Sequence, residues 1–446
     1  MTKRFLYVLI FTLLMGFALS AQAQTEDIEP HPLFELLAII PDNLQTRDSN
    51  QYISYVDYDA VENGRATPVN PETWDQFDLI LELPLGAKWI NSTRRIRSGP
   101  SEILQYLLLG GADMQSVSGV DFFEIDHAIT FGAPPAQGTI FQGQFDVDAI
   151  ETASLGRDYE QADINGVTAW CWIEGCDEGL KVNIVDRNPS NIFDPSLGRN
   201  PPFLILNDGD TVAYAFALEV VEEMASASLG ETRSLADAPD YQAMASAITD
   251  PDMYTGDLVQ VNIFPFDPVN NVQDYTIFET REDYEEFIGS GGIGVLPPMA
   301  SDFVNYGDLP TYQLAALVDR QEGETQIAMI ALVYASEESA QTAAQELTSR
   351  LASFSGEIVT GDPTPFASMI DGAQVNDGYV YASDEAGLYV AVASVSYPLP
   401  EENFSSGEAA AEVAPGILYR RWMDSIFRRA FSPLWQITLP DWAVEE

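Results

Sequence analysis

The chain has 446 residues, 46% of them hydrophobic, with 69 acidic side chains against 20 basic ones and a formal net charge of −49. That apolar content builds packed cores, so the chain is not of the disordered class. A field of this sign repels phosphate backbones, which excludes nucleic acid as a partner and suits solubility, salt tolerance or divalent cations.

Residues 1–23 place Lys3 and Arg4 ahead of the apolar run "FLYVLIFTLLMGFALS" and an Ala-x-Ala exit, the layout of a secretory signal peptide. No later apolar stretch has the length of a membrane span; "IAMIALVYA", 327–335, has that of a buried strand. The expected location is secreted or periplasmic. The remaining chain is longer than one core serves, so two domains are expected, 24–250 and 251–400, divided where Pro251 interrupts "ITDPDMYTGDL", with a loop and helix over 401–446.

Within the first body, "HPLFELLAIIPDN" predicts a short helix stopped by Pro41, and "YISYVDYDAVENGR" a strand feeding a turn. "GPSEILQYLLLGGAD" predicts a helix begun near Ser101 and stopped by Gly110 and Gly111. "GTIFQGQFDVDAIETASL" reads as strand, Asp146 cap and helix, and "DTVAYAFALEVVEEMASASLG" as a strand and then a helix ending near Gly230. In the second body, the segment from Thr325 to Gly356 reads as a long strand, a Ser336 cap with Glu337 and Glu338 in the first turn, and a helix. Its stripe is Ala340, Ala343, Ala344, Leu347, Leu351 and Phe354. Strands grouped between helices without regular alternation predict an α+β fold, mainly antiparallel sheets with helices on one face and an internal duplication of strand-helix units.

The succession "ITFGAPPAQGTIFQGQFDVDAI", "DYEQADINGVTAWCW", "ILNDGDTVAYAFALEVV" and "SLADAPDYQAMASAI", about residues 120–250, resembles exported bacterial proteins of unknown function with duplicated strand-helix units. The resemblance implies the organisation and carries over no activity.

Cys171 and Cys176 are the only cysteines. Export favours a disulfide between them, across a hairpin turning at Glu174 and Gly175, worth about 2 kcal/mol for so small a loop. With His31 and His127 as the only imidazoles, thiolates and histidines do not complete a zinc site. "GSGGIG", 289–294, matches a dinucleotide fingerprint in letters, but it follows a helical segment and runs into prolines, so it reads as a helix-ending loop. His127, beside Asp126, is the one candidate base for nucleophilic catalysis, and no G-x-S-x-G elbow supplies a serine.

Calcium is the cofactor the acidic turns suggest. Oxygen clusters occur at Asn207, Asp208 and Asp210, at Asp186, Asn188, Asn191 and Asp194, and at Asp267, Asn270, Asn271 and Asp274. The same residues also build ordinary turns, and no run completes an EF-hand pattern. Over 416–435, Arg420, Arg421, Arg428 and Arg429 invert the charge of the chain around an apolar side that includes Trp422. Such a helix docks on its own body or rests on an anionic membrane surface. The function expected is an exported, non-catalytic binding or scaffold protein for a protein, glycan or envelope partner. The alternative is an extracytoplasmic hydrolase using carboxylates or a metal.

Overall fold

The computed structural model describes residues 30–47, 52–63, 76, 95–96, 114–173, 175–194, 196–265, 309–353, 370, 372–398 and 416–427. The chain divides into two units, Met1–Pro32 and Leu33–Glu446, and of the first only residues 30–32 are described. The proposed signal peptide, the helix begun near Ser101 and the glycine run at 289–294 lie outside the described residues.

The class is α+β. The described strands are β1 (Ile53–Asp57), β2 (Ile125–Phe131), β3 (Gly138–Gly143), β4 (Tyr159–Ile164), β5 (Val167–Trp172), β6 (Phe203–Leu206), β7 (Thr211–Ala215), β8 (Asp257–Pro265), β9 (Leu314–Glu322), β10 (Thr325–Tyr334), β11 (Gln374–Val375), β12 (Tyr379–Ser383) and β13 (Leu388–Pro398). They form one 13-stranded sheet in the order β11-β13-β10-β9-β8-β1-β2-β3-β7-β6-β5-β4, with β12 also on β13. Every pairing is antiparallel. β8 enters the sheet just after residues 248–256 and pairs with β1 on one side and β9 on the other, so the sheet continues through that segment. Arg320 on β9 fastens it: the guanidinium donates to the carbonyls of Ile248 and Gly256 and lies 4.3 Å over the Tyr254 ring.

Helices flank the sheet at α1 (Pro32–Leu37), α2 (Tyr58–Asn63), α3 (Met114–Ser118), α4 (Val147–Gly156), α5 (Leu218–Ser228), α6 (Pro239–Thr249), α7 (Glu337–Ser353) and α8 (Ile417–Phe427). They cover both faces rather than one, because strand alternation gives the sheet two apolar sides. Ile53, Tyr55, Ala316, Val318 and Met329 face a core shared with α1, α5 and α6. α6 is buried nearly all round: Tyr241, Ala243, Met244, Ala245, Ala247 and Ile248 have no exposed surface.

The opposite face carries two cores. One is aromatic and packs Phe141, Trp170, Phe193, Phe203 and Tyr214 with Ile150 of α4; the Phe193 and Phe203 rings stack at 4.7 Å. The other packs Leu317, Ile330, Ala393 and Val395 against Ala340, Ala343, Ala344, Leu347 and Leu351 of the α7 stripe, whose Phe354 lies outside the described residues, and against Leu418, Tyr419, Trp422 and Met423 of α8.

Local chemistry starts the helices where the pattern predicts. Asp146 caps α4 by accepting from Asp148 N and Ala149 N, and Ser336 Oγ accepts from Ser339 N at the head of α7. Where a turn is expected after β1, α2 forms instead, because the Asp57 carboxylate accepts from Ala60 N at 2.7 Å and caps it.

Candidate functional site

Two grooves meet at Asp146. The smaller, of about 580 Å³, is lined by Glu124, Asp126, His127, Gln142 and Asp210 among others. It opens where β2 and β3 slip out of register between Ile125 and His127, so that Asp126 is the extra residue of a bulge. Gly143 faces this point, and a side chain there would collide with the Glu124 carbonyl.

His127 lies beside Asp126 in the chain, but the carboxylate that faces it belongs to Asp57, its register partner across β1 and β2. His127 Nδ1 stands 3.7 Å from Asp57 Oδ1 and 3.3 Å from the Tyr55 hydroxyl, and the Tyr55 ring stacks on it at 6.1 Å. Burial dominates both groups. It raises the Asp57 carboxyl to about 8, helped by the nearby Asp59, Asp257 and Asp126 charges and opposed by the Ala60 amide. It lowers His127 to about 4. Asp126 is raised to about 6 by burial and then by Asp59, and Glu124 is raised by burial as well. At neutral pH Asp57 keeps its proton and His127 lacks one, so the contact is between two neutral groups and not a salt bridge. A carboxyl raised toward neutrality, as Asp126 is at the bulge, can act as a general acid.

The larger groove, of about 930 Å³, runs beside α4 and is walled by Trp172 at the end of β5 and by the loop over 183–200. The disulfide between Cys171 and Cys176 starts this wall, with Cα atoms 4.7 Å apart. The two cysteines are not cross-strand partners as the hairpin reading has it. Cys171 pairs with Glu160 on β4, and Cys176 opens a 3-10 turn, Cys176–Leu180, so the bond ties the strand end to the loop.

Asp194 organises the rest of the loop. It has no exposed surface and accepts from Ser196 N, Ser196 Oγ, Leu197 N, Arg199 N and Arg199 Nε. Gly198, at φ 65°, brings the chain so close to Asn183 and Arg187 that a side chain would not fit. Asn188 accepts from Ser190 N, and Asn191 from Phe193 N. Three of the four oxygen-bearing residues proposed here for calcium thus build the loop itself; the side chain of Asp186 lies outside the described residues.

Of the other proposed metal ligands, Asp208 and Asp210 belong to the tight turn between β6 and β7, where Asn207 and Asp208 take φ of 52° and 56°. Asp267 and Asp274 lie outside the described residues. Among the described residues no three His, Cys, Asp or Glu side chains converge to hold a metal ion.

α8 lays Trp422, 1% exposed, and Met423 into the core, and Tyr419 accepts at 2.7 Å from Asn262 Nδ2 on β8. Arg420 and Arg421 are half-buried on the outer side, and Arg428 and Arg429 are outside the described residues. The apolar side that a lipid surface needs is engaged by the protein. Among the described residues no helix is long and apolar enough to cross a membrane.

Sequence reasoning passes over Arg157, Trp172 and Asn200 in the larger groove and Asp57 and Glu124 near the smaller one. The one signal it does register is the density of asparagine and aspartate over 186–194, which it assigns to calcium and turns.

No family model matches the chain, and no curated protein matches it. Among solved structures the chain is similar to TP0453 in two crystal forms, form III with TM-score 0.31 and form I with TM-score 0.30, each at 7% identity. These matches cover 86% of this chain and 97% and 96% of those chains.

Proposed function

We propose that this is an exported, non-catalytic binding or scaffold protein that meets a protein or envelope partner through the loop fastened by Cys171 and Cys176. One observation carries the reading. Of nine large apolar side chains left exposed among the described residues, five fall between 173 and 185: Ile173, Leu180, Val182, Ile184 and Val185, the last 93% exposed. Scattered exposed apolar residues are ordinary, whereas a concentration on one segment marks an interaction surface. The disulfide holds that segment to the end of β5, and it supports maturation in an oxidising compartment. The matching order of strand pairing in the two halves of the sheet supports descent from a duplicated unit.

The test is the double change Ile184→Ser and Val185→Ser, in protein that melts like the wild type. Cross-linking in the native envelope is expected to join the wild type to a partner and to leave the variant unjoined. Equal cross-linking of both forms overturns the reading.

Hydrolysis by carboxylates is the second reading, favoured by the raised pKa of Asp126 in the smaller groove and of Asp57 behind His127. It requires turnover of a glycan, ester or peptide substrate that Asp126→Asn abolishes with the fold intact. Calcium bound at Asp208 and Asp210 is a further proposal. It requires a rise in melting temperature with millimolar calcium that a chelator reverses.

A further inference from the structure

We infer that the larger groove binds a saccharide carrying a single carboxylate, with Arg157 as the group that receives that carboxylate. The site is separate from the exposed segment at 173–185 and does not depend on it.

The first observation is the state of Arg157. Its Nη1 donates to Asn191 Oδ1 at 3.1 Å and its Nη2 to Asn200 Oδ1 at 2.8 Å, and its guanidinium lies 5.4 Å over the Tyr159 ring. Both acceptors are neutral amides. In a chain with 69 acids, no carboxylate pairs with Arg157 among the described residues. Elsewhere the fold does pair its arginines: Arg47 with Asp42 and Asp240, Arg95 with Asp319, and Arg199 with Asp194. Arg320 also has no carboxylate within ion-pair distance among the described residues, but two of its donors go to backbone carbonyls and the nearby Glu322 and Asp257 charges favour its charged form. Arg157 instead lines the groove with its position fixed and donors to spare, the fork that a carboxylate matches. Burial without a counter-ion works against its charge, and an incoming anion relieves that cost.

The second observation is the alternation of polar chemistry along the rest of the wall. Asp146 and Asp148 offer acceptors, and Asn188 and Asn200 offer Nδ2 donors that no atom of the described residues takes. A sugar hydroxyl both donates and accepts, so a row of hydroxyls satisfies carboxylates and amides together. Trp172 adds an aromatic surface for the C–H side of a ring. The volume, about 930 Å³, has room for a short oligosaccharide.

Net charge sets the limit on the ligand. At −49, and with Asp146, Asp148 and Asp158 on the same groove, the protein repels an extended polyanion and leaves a place for one carboxylate only, in direct contact with Arg157.

The experiment uses the mature protein on an array of uronate- and sialate-bearing glycans printed beside their neutral parents, followed by calorimetry on the members that bind. Acidic members are expected to bind at least about tenfold more tightly than their neutral parents, with affinity falling as salt rises. Arg157→Gln, with an unchanged melting temperature, is expected to erase that tenfold preference, and Asn200→Ala to weaken it. Should Arg157→Gln fail to fold, Asn200→Ala and the salt dependence still decide the matter. Equal binding of acidic and neutral members overturns the assignment of Arg157, and absence of binding across the array overturns the site.

Discussion

Strands β1, β2 and β3 pair in order, lead into α4 through the Asp146 cap, and are rejoined by β7; β8, β9 and β10 do the same, lead into α7 through Ser336, and are rejoined by β13. The two halves part company over buried charge. In the second, Asp319 is met by Arg95, which reaches it from the first half of the chain, in a bidentate pair at 2.8 and 2.9 Å with almost no exposed surface, and Gln260 and Gln321 satisfy the remaining positions. Burial acts against the charge of Arg95, and Asp319 more than offsets it. In the first half, Asp57 faces a histidine that burial keeps neutral, so its carboxyl escapes the cost of ionisation by holding its proton. The lesson is that a low-dielectric interior accepts an acid in two ways, and only one of them depends on pH near neutrality.

The largest effect expected breaks the compensated half. Arg95→Met leaves Asp319 buried and unpaired and is expected to cost about 3–5 kcal/mol in urea unfolding. A loss under about 1 kcal/mol would show that the pair contributes no more than a surface contact.

Next is the uncompensated half. An unfolded Asp57 ionises near its ordinary value, whereas the folded one holds its proton up to about 8. Between those values the folded state binds more protons, so stability falls as pH rises through the window. Asp126 acts in the same direction up to about 6, and His127, lowered to about 4, acts in the opposite direction between there and its unfolded value. Asp57→Asn keeps an oxygen for the Ala60 amide and removes the ionisation. It is expected to leave stability unchanged at pH 4 and to raise it by a few kcal/mol at pH 8 and above. A gain of the same size at both pH values would contradict this account.

Opening the bond between Cys171 and Cys176 by changing both to serine is expected to cost about 2 kcal/mol, measured as a shift in the urea midpoint under oxidising conditions. The smallest effects sharpen the correspondence between the halves. Asp146→Ala and Ser336→Ala are each expected to cost about 1 kcal/mol, because both remove an N-cap at the same place in the order of elements.

Much of this architecture is legible locally. The caps at Asp146 and Ser336, the stripe on α7 and the stop near Gly230 each depend on residues within a few positions of one another. What escapes is contact at long sequence separation. Nothing near residue 95 announces Asp319, and nothing near Asp57 announces His127, because strand alternation marks which side chains face inward without naming the neighbouring strand. The joining of β1 to β8, which unites the halves in one sheet, is invisible for the same reason. The groove at Arg157 is harder still, since its chemistry lies in an arginine that lacks an acid, and a sequence records residues without their partners.

At the outer margin of the first half β4 has a neighbour on one side alone among the described residues, and its Glu160, Gln161 and Asp163 are exposed. A second copy approaching that margin to extend the ladder would bring its own carboxylates against these. Carboxylates at this rim thus oppose extension of the sheet by a second copy. Replacing Glu160 and Asp163 with valine should turn the same rim into a seed for assembly.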